Sequence, residues 1–239
     1  MLNDEAALWE RLAHSRRVPL DPTWLGEIYS PSLSDDLRMA IAEKLGMFAE
    51  KGWPFIKKLL DEHGALPELV LASGLCHQPE ARDWLLTQVE KSHESMGLVV
   101  LEALACWGAD VPESLVRQSI QHPSQQHRLA GLQLLLFRAH LLDDQTLLQL
   151  CEEALHDFRD PVVISAVRVL QRRDGPLISD RLAKLCHEGS DAVARSALLA
   201  LGCIATSHSR HCLLELSATL PEGERREQAN KELQQQFRQ

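Results

Sequence analysis

Tyrosine occurs once in these 239 residues, and Phe, Trp and Tyr together make up only 5%. Strands draw on aromatic and β-branched side chains, so the shortage argues against a β-rich fold. The six cysteines (Cys76, Cys106, Cys151, Cys186, Cys203 and Cys212) form no CxxC pair. The tight spacing of structural zinc and thioredoxin-like redox sites is therefore missing. Phosphate-cradling glycine loops and serine-hydrolase elbows are absent too. No run approaches the roughly 18 apolar residues of a membrane span, so no membrane partner is expected. Cations are outnumbered, 25 Lys and Arg against 34 Asp and Glu, for a net charge of -9. Such a surface repels phosphate backbones, which argues against nucleic acid. Met1 to Trp9 lacks a basic region followed by an apolar core, and most cysteines fall in apolar patterns. The expectation is a cytoplasmic, reduced chain. No Gly-, Ser- or Pro-rich linker interrupts it, so a single domain over 1-239 is expected.

What is present is a repeat. Asp160-Pro-Val-Val-Ile-Ser-Ala-Val-Arg-Val-Leu170 returns 31 positions later as Asp191-Ala-Val-Ala-Arg-Ser-Ala-Leu-Leu-Ala-Leu201, followed by Gly202. Val162 aligns with Val193, Ser165 with Ser196, Ala166 with Ala197 and Leu170 with Leu201. Further on, Leu182 aligns with Leu213 and Leu185 with Leu216. Self-similarity at this period marks stacked two-helix units.

The same style runs through the chain. Asp4 is placed to cap a helix over Glu5 to His14, and Asp21-Pro22 opens a short second one. Leu37, Ile41 and Leu45 recur every four residues towards Gly46, read as a stop, and Pro54 begins a helix ended by Gly64. Helices are expected from Pro67 to near Gly74, from Pro79 past Trp84, from His93 to Trp107 and from Pro112 to Ile120. Ser124 to Arg138 and Asp144 to His156 follow, then the two matching units, then Pro221 to about Phe237. The result is all-α: a right-handed α-solenoid of about six helix pairs, second helices lining the concave side. Residues 1-30 and 219-239 are expected as atypical caps, the latter because Gly223 to Gln236 is so polar.

These residues resemble HEAT-like repeats. Val193-Ala-Arg195-Ser-Ala197-Leu-Leu-Ala-Leu201-Gly202 is similar to the first-helix pattern V-x-R-x-A-x-x-A-L-G of the group that includes the phycobilin lyases. Leu37 to Gly46 and Leu101 to Gly108 are weaker echoes, and the Asp160 unit lacks the closing glycine. The resemblance implies a protein that holds an open-chain tetrapyrrole and guides thioether formation with a cysteine of a phycobiliprotein. A bilin would then be its substrate, with no permanently bound cofactor. Its partner would be a phycobiliprotein subunit or a second lyase-like subunit, and the attacking thiol would belong to the client. The alternative is a non-catalytic adaptor holding a protein segment in the concave groove. A third, HEAT-like alkyl-DNA glycosylase, is disfavoured by the acidic charge.

Candidate ligand contacts are Trp53, Trp84 and Trp107, readable as packing between repeats or as a stacking wall for a flat ligand. Arg128, Arg168 and Arg195 lie in first helices near Ala130, Ala166 and Ala197. They read as ties between repeats, or as binders of carboxylates such as bilin propionates. Cys186, His187, His208, His211 and Cys212 form the sharpest polar cluster. Core thiols with surface histidines is the reading adopted, with no metal. The adjacent pairs Cys76-His77, Cys186-His187 and His211-Cys212 point about 100° apart on a helix, so neither member serves the other as base. No catalytic residue is assigned. The doublets Arg16-Arg17, Lys57-Lys58, Arg172-Arg173 and Arg225-Arg226 have acidic neighbours and read as solvated faces.

Overall fold

The computed structural model describes residues 5-91 and 94-236, and every secondary element among them is a helix. Asp4, His93 and Phe237 lie outside the described residues, as does the side chain of Arg16. The chain groups into two units, Met1–Gly108 and Ala109–Gln239. The first contains α1 (Glu5–Ala13), α2 (Pro22–Ile28), α3 (Asp35–Met47), α4 (Trp53–His63), α5 (Pro67–Leu75), α6 (Pro79–Lys91) and α7 (Glu94–Ala105). The second contains α8 (Glu113–Ile120), α9 (Gln125–Arg138), α10 (Asp144–Leu155), α11 (Asp160–Leu170) and α12 (Pro176–Glu188). It closes with α13 (Asp191–Ile204), α14 (Ser207–Thr219) and α15 (Glu224–Gln236). No helix among the described residues is long and apolar enough to cross a membrane.

Both units are layered in the manner of an α-solenoid. In the first, α3, α5 and α7 pack successively in one layer, while α4 and α6 lie against them. In the second, α9, α11, α13 and α15 form one layer, and α10, α12 and α14 follow one another in the other. Within each unit an element touches chiefly its neighbours in sequence and the next helix of its own layer. The self-matching positions explain the stacking. Val162 and Val193, Ala166 and Ala197, Leu170 and Leu201, and Leu182 and Leu213 are all buried to 2% exposure or less. The repeat is thus a repeat of packing: large side chains fill the layer, and alanines let successive helices approach.

Local chemistry sets the starts. Asp21, Asp143, Ser190 and Thr206 each accept a backbone N–H two or three residues on, at α2, α10, α13 and α14. Ser190 also donates its hydroxyl to Asp160 at 2.7 Å, tying the N-terminus of α13 to that of α11. Ser190→Ala is expected to cost about 1 kcal/mol. An unchanged thermal midpoint would show that the cap is made by water instead.

Three glycines near helix ends also serve as contacts between helices. α3 runs through Gly46 to Met47, and a Cβ on Gly46 would lie 2.8 Å from the Ala72 carbonyl of α5. α5 passes Gly74, whose Cβ would lie 2.9 Å from the Ala103 Cα of α7. α13 continues past Gly202 to Ile204 and ends at Ala205 in the left-handed region, while Gly202 makes room for Glu232 of α15. These glycines are contact points between helices. Gly64, at φ 80, is a true stop. The last helix is atypical, because only Ala229 and Glu232 of α15 are buried.

Candidate functional site

The repeat builds two neighbouring hollows on the second unit. Each forms where an even-numbered helix ends, a linker turns and the next odd-numbered helix begins. One, of about 250 Å3, is lined by His156, Asp157, Asp160, Arg181 and Val193 among others. The next, of about 790 Å3, includes His187, Asp191, Arg195, Leu198, Pro221 and Lys231. His156 and His187, and Asp160 and Asp191, are each 31 residues apart, so the two hollows share a wall at the repeat spacing. The larger volume falls in the range of small-molecule and peptide sites.

Which charges there are free for a ligand follows from their partners. Arg225 donates to the carbonyls of Cys186 at 3.1 Å and Gly189 at 2.9 Å, and to Asp191 at 2.9 Å. It caps the end of α12 and is occupied. Arg195 meets Glu224 alone among the described residues, at 3.3 Å, with 65% and 84% of the two side chains exposed. A pair so exposed is worth little and is readily exchanged for a ligand carboxylate. Lys231 is exposed on the same wall. Beside the smaller hollow, Phe158 is 89% exposed, with the Arg159 guanidinium 4.9 Å from its ring centre.

The histidine–cysteine cluster separates into two groups. His208 and Cys212, one turn apart on α14, face Asp180 of α12. His208 Nε2 lies 2.6 Å from Asp180 Oδ1, and the Cys212 thiol donates to the same oxygen at 3.9 Å. His211 instead pairs with Glu215 at 3.2 Å, and His187 lines the larger hollow. Burial pushes the Cys212 thiol up to about 11, aided by Asp180 and Glu215. Burial likewise pushes Cys186 and Cys151 up to about 12. Thiols shifted this way stay protonated at neutral pH, the opposite of an activated nucleophile.

The tryptophans gather around α6 in the first unit. Trp53 is buried at the start of α4 and donates to Glu80 at 3.1 Å, and Trp84 packs on the apolar core. Trp107 lies 4.8 Å from the His77 ring centre, with the Arg82 guanidinium 5.5 Å from its own. The arginines divide as well. Arg128 donates to Asp157 at 3.0 Å and to the His122 carbonyl at 2.7 Å. Arg168 is exposed with no partner among the described residues, and Arg195 is as above.

Sequence reasoning missed two carboxylates whose side chains are almost wholly covered. Asp157, with 2% of its side chain exposed, takes both Arg128 and Arg159, and the hydrogen bonds from Arg159 hold its carboxyl below the usual range. In the first unit one oxygen of buried Glu68 accepts from the Tyr29 hydroxyl at 2.8 Å and from Arg38 Nε at 2.7 Å. A usable signal existed. Arg128–Asp157, Asp144–Arg173 and Arg195–Glu224 are all spaced by 29 residues. Opposite charges one repeat apart therefore predict ties between neighbouring helices.

No family model and no curated protein matches the chain. Among solved structures it is similar to human deoxyhypusine hydroxylase in complex with glycerol, at 16% identity and TM-score 0.44, covering 100% of this chain and 92% of that one. It is also similar to an engineered protein, at 15% identity and TM-score 0.44, covering 92% and 97%. A designed armadillo repeat protein in complex with the peptide (KR)4 aligns at 17% identity and TM-score 0.43, covering 90% and 98%.

Proposed function

We propose that this chain is a non-catalytic binding protein whose second unit holds an extended segment of a partner protein along its two hollows. The observation that carries the reading is the recurrence of the hollow at the repeat spacing, with His156 and Asp160 returning as His187 and Asp191. An extended chain has its own regular rise, so a periodic wall can take successive side chains in successive recesses. Phe158 supplies an exposed aromatic anchor beside the smaller hollow, and Arg195 and Lys231 supply charge. The raised thiols support a binding role over a nucleophilic one.

A photo-crosslinking phenylalanine analogue at position 158 is expected to capture one partner in stoichiometric yield, and the same analogue at Lys57 is not. Arg195→Glu with Lys231→Glu should then weaken binding by roughly 30-fold, the scale of a hot spot. Equal capture from both positions, or affinity indifferent to charge reversal, would sink the proposal.

A second reading, the bilin chaperone, is favoured by Arg195, which belongs to the stretch resembling the lyase pattern and stands on the wall of the larger hollow. Phycocyanobilin added to the protein should then change its absorption, and Arg195→Glu should abolish the change. No spectral change with the wild-type chain, alone or with an acceptor subunit, would remove this reading.

A further inference from the structure

We propose that Asp180, His208 and Cys212 form a binding site for a borderline-soft divalent metal ion such as zinc, bridging α12 and α14. The inference is independent of the binding function above, since none of these residues lines either hollow. His208 and Cys212 are four residues apart on α14, which stacks their side chains on one face of the helix. α12 packs against α14 one repeat earlier and presents Asp180 to that face. Histidine nitrogen, cysteine sulfur and a carboxylate oxygen all lie within 4.8 Å of one another.

Magnitudes favour a metal of this class. Zinc bonds of about 2.0 Å to nitrogen and oxygen and about 2.3 Å to sulfur imply tetrahedral ligand–ligand edges of roughly 3.3–3.6 Å. The observed Asp180–His208 edge is 2.6 Å and the Asp180–Cys212 edge 3.9 Å. Side-chain rotations of under about 1 Å bring both to the ideal, and half-exposed Asp180 and His208 have room to make them. The mixed sulfur, nitrogen and oxygen set excludes magnesium and calcium, which take oxygen ligands. Cys212 is 4% exposed while Asp180 and His208 open to solvent, which leaves an entry path and a fourth position for water. The shared carboxylate oxygen already holds the three side chains together, so little ordering is needed, and binding releases the Cys212 thiol proton to solvent as the thiolate takes the metal.

Cobalt(II) titrated into the reduced full-length protein reads the site directly. One equivalent is expected to produce a near-ultraviolet thiolate-to-cobalt band with intense visible bands of tetrahedral cobalt, and zinc should bleach both. Cys212→Ser should abolish the near-ultraviolet band. Asp180→Ala and His208→Ala should each weaken binding by about 100-fold or more, while His211→Ala should leave it unchanged. If Cys212→Ser does not fold, the two exposed positions decide alone. Zinc should raise the melting temperature of the wild type and not that of His208→Ala. Absence of the thiolate band at one equivalent would overturn the proposal. So would cobalt affinity unaltered by Asp180→Ala and His208→Ala, which would assign the metal to other histidines.

Discussion

Glu68→Ala is expected to lower the stability of the first unit by about 3 kcal/mol, near the bottom of the range for breaking a buried ion pair. Glu68 is 4% exposed and serves both Tyr29 and Arg38 through one oxygen. Removing it leaves a hydroxyl and a guanidinium facing an apolar void. The loss stays below the top of that range because Arg38 keeps Asp35 at 2.9 Å and the carbonyls of Pro31 and Leu33. Adding Arg38→Met to Glu68→Ala should recover part of the loss, since the stranded charge goes with it. Urea unfolding followed by tryptophan fluorescence checks this. A change under about 1 kcal/mol would mean that water replaces the carboxylate. The same network predicts an alkaline effect. Burial, followed by the bond to Glu68, raises the Tyr29 phenol above its ordinary value of 10. The folded state therefore holds the proton that the unfolded chain releases. Its contribution is complete below pH 10 and is lost as pH rises beyond it. Tyr29→Phe should remove that alkaline slope.

Gly74→Val is expected to destabilise the first unit by at least about 3 kcal/mol, the upper end of overpacking costs. Valine is not a poor enough helix former for propensity to explain so much, and it should even gain on glycine in that respect. The cost comes from space. The added Cβ would lie 2.8 Å from the Ala103 carbonyl carbon, which is backbone and cannot swing aside. α5 and α7 would have to separate, and the small-residue contact of α5 with α3 at Gly46 and Ala72 would shift with them. Gly64→Ala provides the contrast. No atom lies within 4 Å of its added Cβ, so only the positive φ is strained, at a cost of about 1–2 kcal/mol. If the two substitutions prove equally mild in thermal unfolding, the close approach of α5 and α7 is not as drawn.

The charged ties were half legible. His208 and Cys212 can be read as neighbours from their spacing alone, yet Asp180 stands 28 residues earlier and nothing local points to it. Glu68 follows Pro67 and looks like an ordinary acid in a first helical turn, but it is buried because Tyr29 and Arg38 close over it. Arg128, Arg168 and Arg195 looked alike in sequence. One holds a buried aspartate, one a loosely paired glutamate, and Arg168 has no partner among the described residues.

The amino-acid sequence by itself determined the helices, their starts and the burial of the repeated apolar positions. Capping and amphipathic periodicity act within a few residues, so a linear chain displays them. Only the tertiary structure decided that Gly46, Gly74 and Gly202 are points of close approach between helices, and that Asp180 completes a cluster on the next pair of helices. Those outcomes depend on the distance between packed helices, a quantity set by all the side chains at the contact together and by no local pattern.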